Sequence, residues 1–291
     1  MKERARAAMV LSAGLGTRLR PLTEHCAKPL VPIGDRPAVA HVLDRLPFAV
    51  RVLNVHHRPD DLTAWAREHD VAVSTEVDLL GTAGGVAKAK ALLGEGDVLV
   101  WNGDILAELD AVALADAHAK SAAFATLAVR PRAKGEGNVG IAADGRIVRL
   151  RKESFGDEAR GGEFLGIHVL SGELRARLPE KGCLVGDAYL PALARGDRLE
   201  AHVTDIAFSD VGTIAEYVAA NRAWLARRGV TEWAAPDSVH NASIAESIVG
   251  ARARVDAPIR RCIVWPDAVV KEALEDAIVT PHDVVGYAPA R

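Results

Sequence analysis

The chain has 291 residues, 49% of them hydrophobic and 26% charged, with a formal net charge of −3, the make-up of an ordinary globular protein with room for about two domains. This slightly acidic balance excludes holding nucleic acid by counterion release, and no apolar run reaches the ~20 residues that cross a bilayer. Cys26, Cys183 and Cys262 are far apart and make neither a metal spacing nor a disulfide framework, which points to inert thiols in a reduced, cytoplasmic setting.

The opening MKERARAA is charged like the start of a signal peptide, but the apolar stretch behind it is short and runs into a glycine-rich turn. AAMVL (7–11) therefore reads as a first β-strand. VRVLNV (50–55), VAVSTE (71–76), DVLVWN (97–102) and FATLAV (124–129) read as further strands. Between them lie amphipathic segments, AVAHVLDRL (38–46), DDLTAWAREH (60–69), VAKAKALL (86–93) and AVALADAHA (111–119). Such alternation predicts an α/β fold, a doubly wound and mostly parallel sheet of Rossmann-like layout with helices on both faces. Ligands of these sheets collect at the carboxyl ends of the strands, where residues 12–20 and 102–104 fall. His56 and His57 belong to a loop or helix entry, and His118 and His168, without companion ligands, to packing or surface.

From residue 137 the texture changes. Asp144-Gly145 between apolar-alternating runs signals a hairpin, and EFLGIHVL (163–170) a strand, so this stretch reads as a β-rich insertion beside the cleft. TIAEYVAANRAWLARRG (213–229) is helical in pattern. Beyond it, apolar anchors at Val239, Ile244, Val249, Val255, Val264, Val270, Val279 and Val285 recur mostly every five or six residues. That spacing predicts stacked rungs of a parallel β-helix, or else a small β-rich cap; a short solenoid leaves open ends, a reason to expect oligomers.

The loop after the first strand carries the most chemistry. Gly14 and Gly16 let main-chain N–H groups approach a phosphate chain, and a helix starting behind them would add its dipole. Leu19 stands where a dinucleotide fingerprint has its third glycine, and no Gly-Lys-Ser/Thr of a Walker loop follows. Arg18 lies two residues past the glycines and Lys28 ten further on, on a path stiffened by Pro21 and Pro29. A forked guanidinium and a compact ammonium aimed at one place suit the dense negative charge of a triphosphate with a sugar phosphate.

Gly14, Gly16, Thr17, Arg18, Pro21, Leu22, Thr23, Lys28, Pro29 and Leu30 together resemble the signature of the sugar-1-phosphate nucleotidyltransferase family, which makes nucleotide-sugars. The departure is Ala27, where that family usually has proline before the lysine. The resemblance runs to about residue 229 and more loosely beyond, implying a catalytic domain over 1–229 and a left-handed β-helix-like segment over 230–291. It implies Mg2+ on two aspartates, Asp104 in WNGD (101–104) and Asp210 in SDVGT (209–213), whose hard oxygens suit that ion. A cap on the helix that follows is the other role open to Asp210. The implied reaction is in-line attack of a sugar 1-phosphate on the α-phosphorus of a nucleoside triphosphate, with pyrophosphate leaving. Arg18 would hold the pyrophosphate and Lys28 would sit between the α-phosphate and the sugar phosphate. Ser12, Ala13, Gly14, Gly16, Thr17, Arg18, Glu76, Gly81 and Thr82 are the implied nucleotide contacts.

Glu76 falls where the family places a base-reading residue, often glutamine. A carboxylate accepts two hydrogen bonds and suits guanine, whereas an amide suits uracil or thymine. With the LGTAG run (80–84), this favours a mannose-1-phosphate guanylyltransferase, GTP plus mannose 1-phosphate. Uridylyl or thymidylyl transfer to glucose 1-phosphate or N-acetylmuramate 1-phosphate is the alternative, since EFLGIHVL resembles the sugar strand of such uridylyltransferases. For the sugar, Lys152 and Glu153 stand in reversed order against the Glu-Lys-Pro of many relatives, and Asn138 and Glu163 are candidate hydroxyl partners. A catalytically silent, nucleotide-sugar-binding regulatory subunit is a third reading, opposed by the presence of Arg18, Lys28, Asp104 and Asp210.

Overall fold

The computed structural model describes residues 5–288, so the first four residues of the charged N-terminal stretch lie outside the described residues. Two compact units emerge. Unit 1 holds the chain up to Gly14 together with Val42–Phe208; unit 2 holds Leu15–His41 together with everything from Ser209 onward. This division by contact groups an early loop with the C-terminal part of the chain, which the boundary at 229 read from sequence does not.

Unit 1 is built on one ten-stranded sheet. Its strands in chain order are β1 (Ala7–Leu11), β2 (Val50–Val55), β3 (Ala72–Thr75), β4 (Val98–Asn102), β5 (Ala125–Arg132), β6 (Val139–Ile141), β7 (Ile147–Leu150), β8 (Glu153–Ser154), β9 (Arg160–Leu170) and β10 (Leu199–Val203). β3, β2, β1 and β4 lie side by side and parallel. Burial explains that arrangement. Successive residues of β1, Ala7 to Val10, are all buried, so both faces of the strand are covered, as parallel sheets require. Met9 packs with Val86 of the helix Gly81–Lys88 and with Tyr189 in the main core.

β9 runs antiparallel to β4 and to β5. Since Ile167 pairs with Trp101, residues 160–166 project past the carboxyl end of β4. There they pair with β6, and β6, β7 and β8 form an antiparallel meander. The Asp144-Gly145 hairpin sits where the sequence places it, and the whole insertion stands beyond the carboxyl edge of the parallel strands.

The insertion has its own clasp. Arg149 Nε donates to Glu158 Oε2 at 2.7 Å, and its terminal nitrogens donate to the main-chain carbonyls of Gly137, Glu136 and Val139 at 3.0, 3.1 and 3.2 Å. One guanidinium thus gathers the 136–139 loop, using the fixed fork that lysine lacks.

Unit 2 contains the helix Ile214–Arg227 and the C-terminal coils. Thr213 caps the helix: its hydroxyl accepts from Glu216 N at 3.3 Å and donates to Glu216 Oε2 at 2.9 Å, a Thr-x-x-Glu box. The capping role left open for Asp210 therefore belongs to Thr213. The Leu15–His41 loop is fastened to this helix. Tyr217 Oη donates to Pro32 O at 2.8 Å and accepts from Trp265 Nε1 at 2.9 Å, and Asn221 Oδ1 accepts from Gly34 N at 2.8 Å. Burial pushes the Tyr217 phenol well above its usual range. Trp224 lies so close over Gly34 that a methyl there would meet its ring at 2.1 Å.

The C-terminal coils have a period of 15 residues. Trp233, Ile248, Ile263 and Ile278 stack in parallel register, as do Val239, Arg254 and Val269 and Ile244, Ile259 and Leu274. The faces repeat every five residues, so the five-or-six spacing of the sequence resolves to five. Its corners hold non-glycine residues at positive φ, among them Glu246, Arg261 and Asp276, and Arg252 and Asp267. These corner charges pair between coils, Arg252 Nε to Asp267 Oδ1 at 2.6 Å and Arg261 Nε to Asp276 Oδ1 at 2.8 Å. At the C-terminal end Val284–Gly286 turns back and pairs antiparallel with Ala277–Val279. Among the described residues no helix is long and apolar enough to cross a membrane.

Candidate functional site

The parallel register places the ends of β1, β2 and β4 level: Leu11 pairs with Asn54 on one side and with Asn102 on the other. The chain leaves this edge as Ser12–Gly14 from β1 and as Gly103-Asp104 from β4, and Gly103 N donates back to Leu11 O at 2.9 Å. This edge lies at the strand order's switch point, where such sheets bind ligands. Asp104 is half-buried there.

Three buried polar residues organise the same edge. Ser12 N donates to Asn54 Oδ1 at 2.7 Å, Asn54 Nδ2 donates to Glu76 Oε1 at 2.7 Å, and Leu80 N donates to Glu76 Oε2 at 3.0 Å. Ser12, Asn54 and Glu76 are 6%, 3% and 2% exposed, so both carboxylate oxygens of Glu76 are occupied within the protein. Asn54 was not among the expected site residues. Its signal was present, since asparagine is depleted in strands and here lies next to the last residue of one. Gly81 starts the following helix exposed, and the Thr82 hydroxyl accepts from Leu184 N at 2.8 Å.

In the insertion, Asn138 Oδ1 accepts from Phe164 N at 2.8 Å, and Glu163 is ion-paired with Arg132. Lys152 and Glu153 are exposed at the turn into β8. These four residues stand with the meander beyond the carboxyl edge. His168 belongs to the core: it is buried, its Nδ1 meets Tyr189 Oη at 2.8 Å, and burial lowers its pKa to about 3.

In unit 2, Gly16 takes a left-handed conformation (φ 66°) and is followed by a single 3₁₀ turn, Thr17–Leu19. That turn is too short for the helix dipole expected there, so charge rather than a dipole must carry anion binding. The excursion that follows returns on itself. Thr23 Oγ1 donates to Gly16 O at 2.8 Å, and a methyl on Gly16 would touch Lys28 Cβ at 3.2 Å. Arg18, exposed, and Asp210, half-buried, share a neighbourhood: one point beside Gly212 lies 3.1 Å from both Arg18 Nη2 and Asp210 Oδ1. Unit 2 thus brings Arg18, Lys28 and Asp210 onto one framework, while Asp104, Glu76 and Ser12 belong to unit 1.

Asp104 in unit 1 and Asp210 in unit 2 each carry hard carboxylate oxygens of the kind divalent cations take; among the described residues no group of three or more His, Cys, Asp or Glu that could hold a metal ion occurs.

The family model described as "Nucleotidyl transferase" matches residues 7–227. The chain is 36% identical over 200 residues to the N-acetylmuramate alpha-1-phosphate uridylyltransferase of Caulobacter vibrioides, covering 62% of this chain and 81% of that relative. It is 29% identical over 224 residues to the mannose-1-phosphate guanyltransferase of Aspergillus fumigatus, covering 70% of this chain and 60% of the relative, so it spans less than two thirds of the latter's length. Among solved structures, HddC from Yersinia pseudotuberculosis complexed with GMP-PN superposes with a TM-score of 0.62 at 22% identity, over 75% of this chain and 99% of that one. A putative glucose-1-phosphate thymidylyltransferase from Bacillus anthracis gives 0.63 at 18%, over 75% and 94%. At these identities the structural likeness is one of fold, the Rossmann-like arrangement read from the strand pattern. The chain belongs to the nucleotidyl transferase family of enzymes.

Proposed function

We propose that the chain transfers a nucleoside monophosphate from a nucleoside triphosphate to a sugar 1-phosphate, releasing pyrophosphate. The observation that supports this is that, within unit 2, Arg18 Nη2 and Asp210 Oδ1 both lie beside Gly212 while Lys28 packs beside Gly16. A phosphate oxygen of the sugar 1-phosphate attacks the α-phosphorus, a new P–O bond forms, and the α–β bridging bond breaks in line. The protein supplies position and charge. Arg18 takes the departing pyrophosphate on its forked donors, and Lys28 offsets charge shared by the α-phosphate and the incoming phosphate. Ala13, Gly14, Gly16 and Thr17 present main-chain N–H groups to the triphosphate, Ser12, whose own N–H is held by Asn54, anchors the start of that loop, and Gly81 and Thr82 line the nucleotide. Asp104 and Asp210 are the residues that would hold Mg2+, whose charge would polarise the α-phosphate.

The finer reading is GTP with mannose 1-phosphate, supported by the relatives named mannose-1-phosphate guanyltransferase. A second reading, UTP with N-acetylmuramate 1-phosphate, is supported by the Caulobacter relative. Asn138, Lys152, Glu153 and Glu163 are the residues proposed toward the sugar, and a cytoplasmic homo-oligomer is the proposed form. Pyrophosphate release with GTP, UTP and dTTP, each against mannose, glucose and N-acetylmuramate 1-phosphates, tests all of this. Release is expected only when both substrates are present, and fastest with GTP and mannose 1-phosphate. A clear UTP preference replaces the first reading by the second, and no release with any pair ends the proposal.

A further inference from the structure

We propose that Glu76 is a positioning residue that locks the phosphate loop to the 76–85 segment, and that the nucleobase is selected without its carboxylate. The inference rests on the nucleotidyl-transfer reading of Ser12–Thr17. Three observations support it. The carboxylate is 2% exposed. Each oxygen already accepts a bond, one from Asn54 Nδ2 and one from Leu80 N. Position 85 leaves no space beside it: a methyl on Gly85 would stand 2.8 Å from Asn54 Nδ2 and 2.8 Å from Glu76 Oε1.

The bonds form a directed chain. Ser12 N–H needs an acceptor, which orients the Asn54 amide with its oxygen toward the loop. Its nitrogen must then donate to Glu76, and Glu76 closes the turn 77–80 through Leu80 N. Only a group with two acceptor faces serves at position 76, and only an amide serves at position 54. The loop that meets the triphosphate and the segment that precedes Gly81 are therefore set by one buried network, where an unpaired donor is costly. Outside that network the segment presents Val77, 85% exposed, and Leu79, 41% exposed, so contact with a base falls to these residues and the main chain up to Gly81.

The network admits a swap that separates positioning from base reading. Glu76→Gln alone puts a donor against either Asn54 Nδ2 or Leu80 N. Asn54→Asp alone sets two carboxyl groups face to face. The double variant Asn54→Asp/Glu76→Gln restores every bond with one donor reversed: the new amide donates to the new carboxylate, which still accepts from Ser12 N. We expect each single variant to lower kcat/KM for GTP, UTP and dTTP by the same factor, about 10-fold or more. The double variant should recover most of that loss, with the preference among the three nucleotides unchanged throughout. Amide hydrogen exchange gives a second readout independent of turnover: Ser12 and Leu80 should exchange faster in Glu76→Gln and return to parental rates in the double variant. Two results overturn the proposal: a shift in nucleotide preference of more than about 10-fold toward UTP or dTTP that persists in the double variant, or unchanged exchange at both amides in Glu76→Gln. A parental enzyme inactive with every nucleotide would sink the functional reading alone, and the exchange measurement would still decide the role of Glu76.

Discussion

In unit 1 the segments around Ser12 and Leu80 are held by buried polar groups, with Asn54 and Glu76 passing hydrogen bonds from one loop to the next. In unit 2 the loop bearing Arg18 and Lys28 is held by rings, with Tyr217 under Pro32 and Trp224 against Gly34. The two modes fail differently. Loss of a directed hydrogen bond moves a group by fractions of an ångström while the surrounding apolar core stands, so it costs catalysis first. Loss of a large ring opens a cavity, so it costs stability first.

The largest expected effect follows from chemistry in unit 1. Asp104→Ala should reduce turnover by roughly 10³-fold or more, about 4 kcal/mol of transition-state stabilisation, with the unfolding midpoint retained. Pyrophosphate release and thermal unfolding on one sample check both halves; undiminished turnover overturns the metal assignment. Next comes Trp224→Ala in unit 2, expected to cost about 3 kcal/mol of stability because this ring is 4% exposed and fills the space over Gly34. Denaturant titration reads it directly, and an unchanged midpoint would erase the contrast between the units. Arg149→Ala releases the 136–139 loop without opening the core. It should raise KM for the sugar 1-phosphate about 10-fold, ~1.4 kcal/mol, and leave KM for the nucleotide as it was.

A further effect is a pH dependence in the unit 1 core. His168 is held neutral by burial, its pKa lowered to about 3 from 6.5. Below pH 6.5 the unfolded chain takes up a proton that the folded chain refuses, so this contribution is complete above 6.5 and declines as pH falls toward 3. Thermal unfolding between pH 7 and 4 should show the decline, and His168→Phe should flatten it.

Much of unit 1 was legible because strand and helix periods differ and because glycines and cations after a strand have few other uses. The strands that end at Leu11 and Asn102 were both read from that pattern, while their level register came from the structure. What the sequence hid depends on distant pairs. Glu76 reads as a base-facing carboxylate until Asn54, on another strand, is found beneath it. Asp210 reads as a metal ligand with a helix cap as its other role, and it is Thr213 that closes the helix with Glu216. The 15-residue coil was blurred because an arginine shares a column with two valines while isoleucines, a leucine and a tryptophan fill the other columns, and because charged residues rather than glycines occupy the left-handed corners. The grouping of 15–41 with the C-terminal part depends on Trp224 meeting Gly34, which no local pattern announces.

The returning strand Val284–Gly286 has a consequence for solubility. A bare end of a three-faced coil exposes three rows of unpaired N–H and C=O groups, a template on which a second molecule could continue the stack. Here one of those rows, along Ala277–Val279, is already paired in the opposite direction. A copy arriving end-on with parallel rungs would meet a mismatched row along that face.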